Sequence, residues 1–424
     1  MQSLSISDRR RDILLLIFSI AGILGLIGRG VYPVITGIVS SNSTSNGELI
    51  SSILGALSMV FCAALLLPML IVSIRHLKGQ EIHLAKLTPV KFWQVAGLAS
   101  VWLVSIVLAS ILDGLPDFGW IIAVPFFLLG ISIPIVVFVW IAIGGLPTGS
   151  RRRLWSAFGI GMAGSTVVAM LLEYLVVGIG VLVAGVVAAV NPEWRAVINQ
   201  LKGLITSSRD IQVLLTELAP YLTNPWVLLL ILAFASVLAP MIEEALKPAA
   251  VWLVGKRLRS PAEGFALGAL CGAGFALLEG ILAASGATGM IGFGLAARAA
   301  SSLMHITASG LMGWAIASVR LEKRYGRLAL IYLLSVAIHG LWNGAALLAV
   351  YGALRFTLQS AAPDLFGMLS VLVGIGMLGL MLVSILIFLP LVNRRLRPVP
   401  AAQNDISYGD DTPYGNDIIA PPQS

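Results

Sequence analysis

The chain has 424 residues, of which 58% are hydrophobic and only 11% charged. Soluble domains carry about 25% charged residues, so this balance excludes the ordinary globular class. The net charge of +7 would suggest nucleic acid in a soluble chain; here Lys and Arg stand in short clusters between apolar runs, the pattern of membrane-protein loops, so no nucleic-acid partner is expected.

About 20 apolar residues cross a bilayer. Ten such runs occur in chain order, at about 13–28, 50–74, 92–112, 118–146, 154–190, 225–256, 262–284, 294–319, 328–351 and 366–392. Arg9 to Arg11 precede the first run, but no small-x-small cleavage site follows it, so it reads as a retained span. The basic clusters are Arg9 to Arg11, Arg75 through Lys91, Arg151 to Arg153, Lys256 to Arg259, Arg320 to Arg327 and Arg394 to Arg397. The alternate loops, Ser41 to Gly47, Asp113 to Asp117 and Ser285 to Gly292, are poor in Lys and Arg. Ten spans with both termini cytoplasmic satisfy every cluster. The expected fold is therefore all-α, a polytopic transmembrane helix bundle, with His76 and His83 in a cytoplasmic loop.

Cys62 and Cys271 fall inside apolar runs, which leaves no disulfide framework or Cys-rich zinc site and makes both small core hydrophobes. The run 154–190 would be about 55 Å long as one helix, more than a bilayer core needs. It is expected to tilt, to break near Gly178 or Gly180, or to leave the membrane. Between Asn191 and Leu222, Trp194, Val197, Ile198, Leu201, Leu204 and Ile205 recur at helical spacing opposite Arg195, Asn199 and Lys202. That is an amphipathic helix for the outer leaflet, serving either as a joint between spans or as a guide for substrate. After Arg397 the composition turns to Pro, Gly, Asn and Asp, with Asp405, Asp410, Asp411 and Asp417 and no Lys or Arg, a disordered acidic tail. No inverted repeat of the transporter type is evident between the halves.

An ionisable side chain at mid-bilayer costs about 2.5–3.5 kcal/mol, so each needs a reason. The last third holds Glu243, Glu244, Lys247, Glu279, Arg298, His305 and His339. In Ala239-Pro-Met-Ile-Glu-Glu-Ala-Leu-Lys-Pro248, Pro240 cannot donate to the Ser236 carbonyl. A helix restarting there places both glutamates near its positive end. Lys247 lies i+4 from Glu243 and i+3 from Glu244 and neutralises one of them; a purely structural ion pair would leave the other charge unexplained. In the seventh span Gly264, Gly268, Gly272 and Gly280, with Ala276, form a small-residue stripe for a close neighbouring helix. Phe275 and Glu279 stand one turn apart on the adjoining face. In the eighth span Arg298, Ser302, His305 and Ser309 share a face, as do Ser335, His339 and Asn343 in the ninth. These stripes must face one another to avoid lipid.

Such a group suits water activation: a glutamate takes the proton, histidines orient water or bind metal, and an Asn or protonated His holds an oxyanion. No Ser-His-Asp arrangement and no His-Glu-x-x-His motif is present. A proton- or cation-coupled transporter and a non-catalytic membrane scaffold remain alternative readings of the same residues.

Glu243-Glu244-x-x-Lys247, Phe275-x-x-x-Glu279, His305 and His339-Gly-Leu-Trp-Asn343 together resemble the PrsW family of intramembrane proteases. That family is grouped with the CAAX prenyl proteases, whose analogous motifs are Glu-Glu-x-x-x-Arg, Phe-x-x-x-His and His-x-x-x-Asn. Lys247 one position early, and Glu279 in place of a His, favour the PrsW branch. The resemblance covers about residues 225–350. It implies cleavage of a membrane-anchored regulatory protein, such as an anti-sigma factor, in a prokaryotic plasma membrane, with the lipid bilayer as surroundings. It implies Glu244 as the water-activating base, supported by Glu243 and Lys247, with Glu279 and His305 completing the water or metal site. His339 with Asn343 would hold the oxyanion. If a metal is present, Glu244, Glu279, His305 and His339 would make a plausible zinc set. Arg298, outside the motif, is expected to pair with Glu279. The organisation expected is an accessory region over 1–190, an extracytoplasmic segment over 191–224, a catalytic core over 225–352, a last span over 353–397 and the tail over 398–424.

Overall fold

The computed structural model describes residues 6–39, 46–80, 83–85, 87–113, 115, 119–207, 224–285, 290–358 and 364–397. Among them it contains ten helices long and apolar enough to cross a membrane: Asp8–Val39, Ser52–Leu77, Phe92–Asp113, Ile122–Ile143, Arg151–Val190, Trp226–Val254, Pro261–Ala284, Ile291–Glu322, Tyr325–Phe356 and Leu365–Leu396. These are called the first to tenth spans below. The described residues hold no strand, and the chain is a multi-pass membrane protein of the all-α class. The expected acidic tail and the segment 208–223 lie outside the described residues.

The seventh span forms the centre of the bundle. Ser260 caps its first turn by accepting from the Glu263 amide, and Pro261 occupies a first-turn position that needs no donor. Nearly every residue from Ala262 to Ile281 is buried. The reason is the glycine stripe: a Cβ on Gly264, Gly268 or Gly272 would run into the backbone of Gly313, Ser309 and His305 in the eighth span. Only hydrogen side chains allow that backbone-to-backbone contact. On the opposite face Gly274 meets the Phe158 carbonyl, and Gly161 of the fifth span meets Cys271. Gly268→Leu therefore forces the two central helices apart, and we expect a loss of at least about 1–3 kcal/mol, read as a lowered thermal midpoint in detergent. Cys62 and Cys271 are buried free thiols in this core.

The fifth span is one helix through Gly178 and Gly180, so the expected break there does not occur. A glycine in an apolar phase gains nothing by opening its helix, because no water waits for the freed backbone groups. The irregularity lies earlier, in a π-helical turn over Ile160–Ser165, where the helix meets the seventh span. The Thr166 hydroxyl donates to the Gly161 carbonyl within that turn. Beyond it, Leu171, Leu175, Val181 and Val183 are exposed, a surface for lipid. The amphipathic stretch begins as a helix over Pro192–Ser207, started by the Asn191 side chain, which accepts from the Glu193 and Trp194 amides.

The basic clusters come together at one end of the bundle. Arg152 donates to Asp12 at 2.6 Å, and His76 Nδ1 lies 2.5 Å from the other oxygen of the same carboxylate. Arg153 pairs with Glu263 at 2.6 Å and Arg257 with Asp8 at 2.9 Å. Arg320 stands over the Trp252 ring, and Asn393 donates to the Ala142 and Gly144 carbonyls just before Arg151. His76 thus departs from the loop expected for it. The second span continues to Leu77 as helix, and the buried Asp12–Arg152 pair draws the imidazole inward. His83 stays in the connecting segment, its carbonyl accepting from the Arg151 amide.

Candidate active site

The sixth span positions the two central glutamates through a register shift. Over Phe234–Leu238 the helix widens to a π turn, in which the Ala239 amide donates to Phe234. The next donor in that register would be Pro240, reaching for Ala235, and proline has no N–H. Asn343 of the ninth span supplies the missing hydrogen, its Nδ2 donating to the Ala235 carbonyl at 2.8 Å. The orphaned carbonyl expected at Ser236 is thus moved by one residue, and a side chain from another span takes the place of the lost amide. Helix resumes over Ala239–Leu246 and carries Glu243 and Glu244, both buried, before the turn at Lys247 and Pro248.

Lys247 is the hub. Its fully buried ammonium lies 2.7 Å from Glu244 Oε1, 2.9 Å from Glu243 Oε2, 2.8 Å from His305 Nδ1 and 3.3 Å from His339 Nδ1. The ring of Phe275 covers it at 4.6 Å from centroid to Nζ. The three ammonium hydrogens can serve Glu244, Glu243 and the Nδ1 of His305, and the alkyl stem comes from the same helix as both carboxylates.

The hydrogen-bond partners assign the imidazole tautomers. His339 Nδ1 lies 2.8 Å from Glu244 Oε1, and an ionised carboxylate only accepts, so Nδ1 carries the proton. Nε2 of His339 lies 3.9 Å from Glu243 Oε2. In His305, Nδ1 accepts from Lys247, and Nε2 lies 3.0 Å from Glu279 Oε2. Arg298 reaches the same Glu279 oxygen at 2.7 Å, the pairing expected from the sequence. The two imidazole rings meet edge to face, 5.0 Å between centroids.

One atom at the centre of this network stands out. Glu244 Oε2 is buried and has no hydrogen-bond partner, while Oε1 of the same carboxylate is held by Lys247 and His339. An unmatched buried carboxylate oxygen is costly and calls for a water, proton or cation.

Six of the seven expected catalytic residues therefore meet: Glu243, Glu244, Lys247, Glu279, His305 and His339. Asn343 lies beside them with its amide nitrogen bound to the Ala235 backbone. The metal-ligating atoms group differently from the expected set. Glu243, His305 and His339 each offer one ligand atom, all within 4.8 Å of one another. Glu244 and Glu279 are not in that group; Lys247 and His339 contact Oε1 of the first, and Arg298 and His305 lie against Oε2 of the second. One carboxylate and two imidazoles fit a divalent cation of the zinc type in donor kind and spacing. The Lys247 ammonium holds the Nδ1 of His305 and so competes with such a cation for that nitrogen.

A further carboxylate was not singled out from the sequence. Glu173 lies on the fifth span, which packs against the helix of Glu243 and Glu244, and its Oε1 is buried with no hydrogen-bond partner. Its signal was available: it is the one ionisable residue with a full charge between Thr166 and Val190, and a charge in an apolar span marks a functional candidate.

A buried set of carboxylates, imidazoles and an ammonium, enclosed by ten apolar spans, is equipment for hydrolysis inside a membrane. The profile described as PrsW family intramembrane metalloprotease matches residues 149–375, over half of the chain, and the chain belongs to that family. The match extends past the motif-bearing spans to take in the fifth span and part of the tenth. Comparison with curated proteins and with solved structures gave no match. Membership makes the protein an intramembrane protease, a hydrolase acting on peptide bonds, with a membrane protein as its substrate and lipid around it.

Proposed function

We propose that this chain cuts a membrane-anchored regulatory protein, of the anti-sigma-factor kind, in a prokaryotic plasma membrane, using a metal-assisted water activated at Glu244. The unpartnered Oε2 of Glu244 carries this reading. It is the carboxylate oxygen free to accept a proton from water, while Oε1 is fixed by His339 and Lys247. General-base catalysis needs that combination of a held group and an open acceptor.

Glu243, His305 and His339 would hold the metal. Once bound, it would supply Lewis-acid polarisation of the water and of the scissile carbonyl. His339 has a second task, since its Nδ1–H orients Glu244. With Nε2 turned to a metal, His339 would have no hydrogen there to offer an oxyanion, so the pairing of His339 with Asn343 as oxyanion donors gives way to a different division. His339 serves as ligand and orienting group, and Asn343 keeps the π turn, and with it Glu243 and Glu244, in register. Glu279 anchors His305 and is itself anchored by Arg298. The residues 225–352 form the catalytic core in this reading, joined by the fifth span, and the first four spans are accessory.

The test is the purified full chain in detergent, analysed for metal and incubated with a panel of single-span peptides, with and without chelator. We expect stoichiometric metal and cleavage that stops on chelation and returns with zinc. Cleavage unaffected by metal removal would overturn the metal-assisted part; no cleavage of any peptide would overturn the peptidase assignment at this site.

A further inference from the structure

Serine hydroxyls in these spans commonly serve their own helix. Those of Ser19, Ser58, Ser73 and Ser105 each donate to the carbonyl four residues back, the usual local partner of a hydroxyl within a helix. Ser165, the last residue of the π turn in the fifth span, does not. Its buried hydroxyl crosses to the sixth span and donates to the Lys247 carbonyl at 3.3 Å.

Both ends of that bond have a local cause. In the π turn the Thr166 amide and hydroxyl both serve the Gly161 carbonyl, the acceptor that an α-helical Ser165 would use. The turn lies flush against the seventh span, since a Cβ on Gly161 would run into the Cys271 backbone. At the other end, the sixth-span helix breaks after Leu246. The Val251 amide, the regular helical donor to Lys247, goes to Pro248 instead at 2.9 Å. Inside an apolar bundle a carbonyl deprived of its amide is costly, and the Ser165 hydroxyl takes that place.

The helix that carries Glu243 and Glu244 is thereby held through its backbone at three points. Asn343 donates to Ala235 ahead of it, Tyr332 to Met241 within it at 2.9 Å, and Ser165 to Lys247 at its end. The first two donors stand on the ninth span. The third comes from outside the motif-bearing spans and meets the residue whose ammonium joins Glu243, Glu244 and His305.

Resting on the reading of this cluster as the peptidase site, we propose that Ser165 is a positioning residue for the reaction. Its hydroxyl fixes the backbone from which Lys247 projects, and with it the place of the ammonium between Glu244 and the Nδ1 of His305. It acts through Lys247 and touches no reacting atom. The π turn is what frees the hydroxyl for this use, and such turns are frequent at functional sites.

The experiment is steady-state cleavage of a single-span peptide by the full chain in detergent, with thermal midpoints measured alongside. Wild type, Ser165→Ala, Ser165→Thr and Ser73→Ala are compared. Ser73 is the control, a fully buried serine whose hydroxyl stays on its own helix. We expect the kcat of Ser165→Ala to fall on the order of 10–100-fold, the scale of a small misplacement of catalytic groups. Its KM should stay within about twofold of wild type and its midpoint close to that of Ser73→Ala, which cleaves as wild type does. Ser165→Thr keeps the hydroxyl and should recover most of the kcat. A kcat in Ser165→Ala less than about tenfold below wild type, or one that Ser165→Thr leaves equally low, would overturn this proposal alone. So would a midpoint well below that of Ser73→Ala, the mark of a merely structural role. A wild type that cuts no peptide would overturn it together with the peptidase reading.

Discussion

Lys247→Met is expected to abolish cleavage and to lower stability by about 3–5 kcal/mol, the cost of leaving buried charges without their partner. Methionine keeps much of the side-chain volume under Phe275, so the loss reads out charge and hydrogen bonding rather than a cavity. Glu243 and Glu244 would face each other's charge with no ammonium between them, and the Nδ1 of His305 would lose its donor. Chemical or thermal unfolding in detergent measures the first effect and a peptide-cleavage assay the second. A Lys247→Met protein as stable as wild type would mean that the glutamates are compensated by some other group.

His339→Ala is the second large effect. It removes at once the Nδ1–H that fixes Glu244 and the ligand atom that His339 would offer a metal in the proposed site. The cleavage rate should fall on the order of 10²–10⁴-fold, the range attributed to a positioned general base, and metal content should fall with it. His339→Asn separates the two tasks, since an amide can still donate to Glu244 but is a poor ligand. It should retain more stability than His339→Ala and still lose the metal. Equal metal content in His339→Asn and wild type would remove His339 from the ligand set.

Much of this architecture was legible in the chain. Each span announces itself by length, and the basic clusters that marked alternate loops do gather at one end, through pairs such as Asp12–Arg152 and Arg257–Asp8. The glycine stripe of the seventh span and the Arg298–Glu279 pair follow from helical spacing and from the cost of a lone charge in lipid. What was not legible depends on contacts between spans far apart in sequence. The π turn before Pro240 exists because Asn343, 108 residues on, can satisfy Ala235. That Glu243 rather than Glu244 shares a ligand-distance group with His305 and His339 turns on how side chains of three spans meet. His76 looked like a loop residue because nothing local shows that Asp12 and Arg152 wait in the bundle for it. Glu173 was obscured by its setting, one carboxylate in a long Leu- and Val-rich helix whose other faces meet lipid.

Glu244 is the residue proposed to activate the water that cuts a membrane-spanning substrate. The most direct measurement compares wild type with Glu244→Gln, both purified as full chains and reconstituted in liposomes with a single-span peptide. Glutamine keeps the shape and can still meet Lys247 and His339 by rotating its amide, but it takes no proton. Wild type is expected to cleave and Glu244→Gln to lose activity on the order of 10²–10⁴-fold, with helical content and metal uptake retained. Cleavage by Glu244→Gln at the wild-type rate would contradict that role.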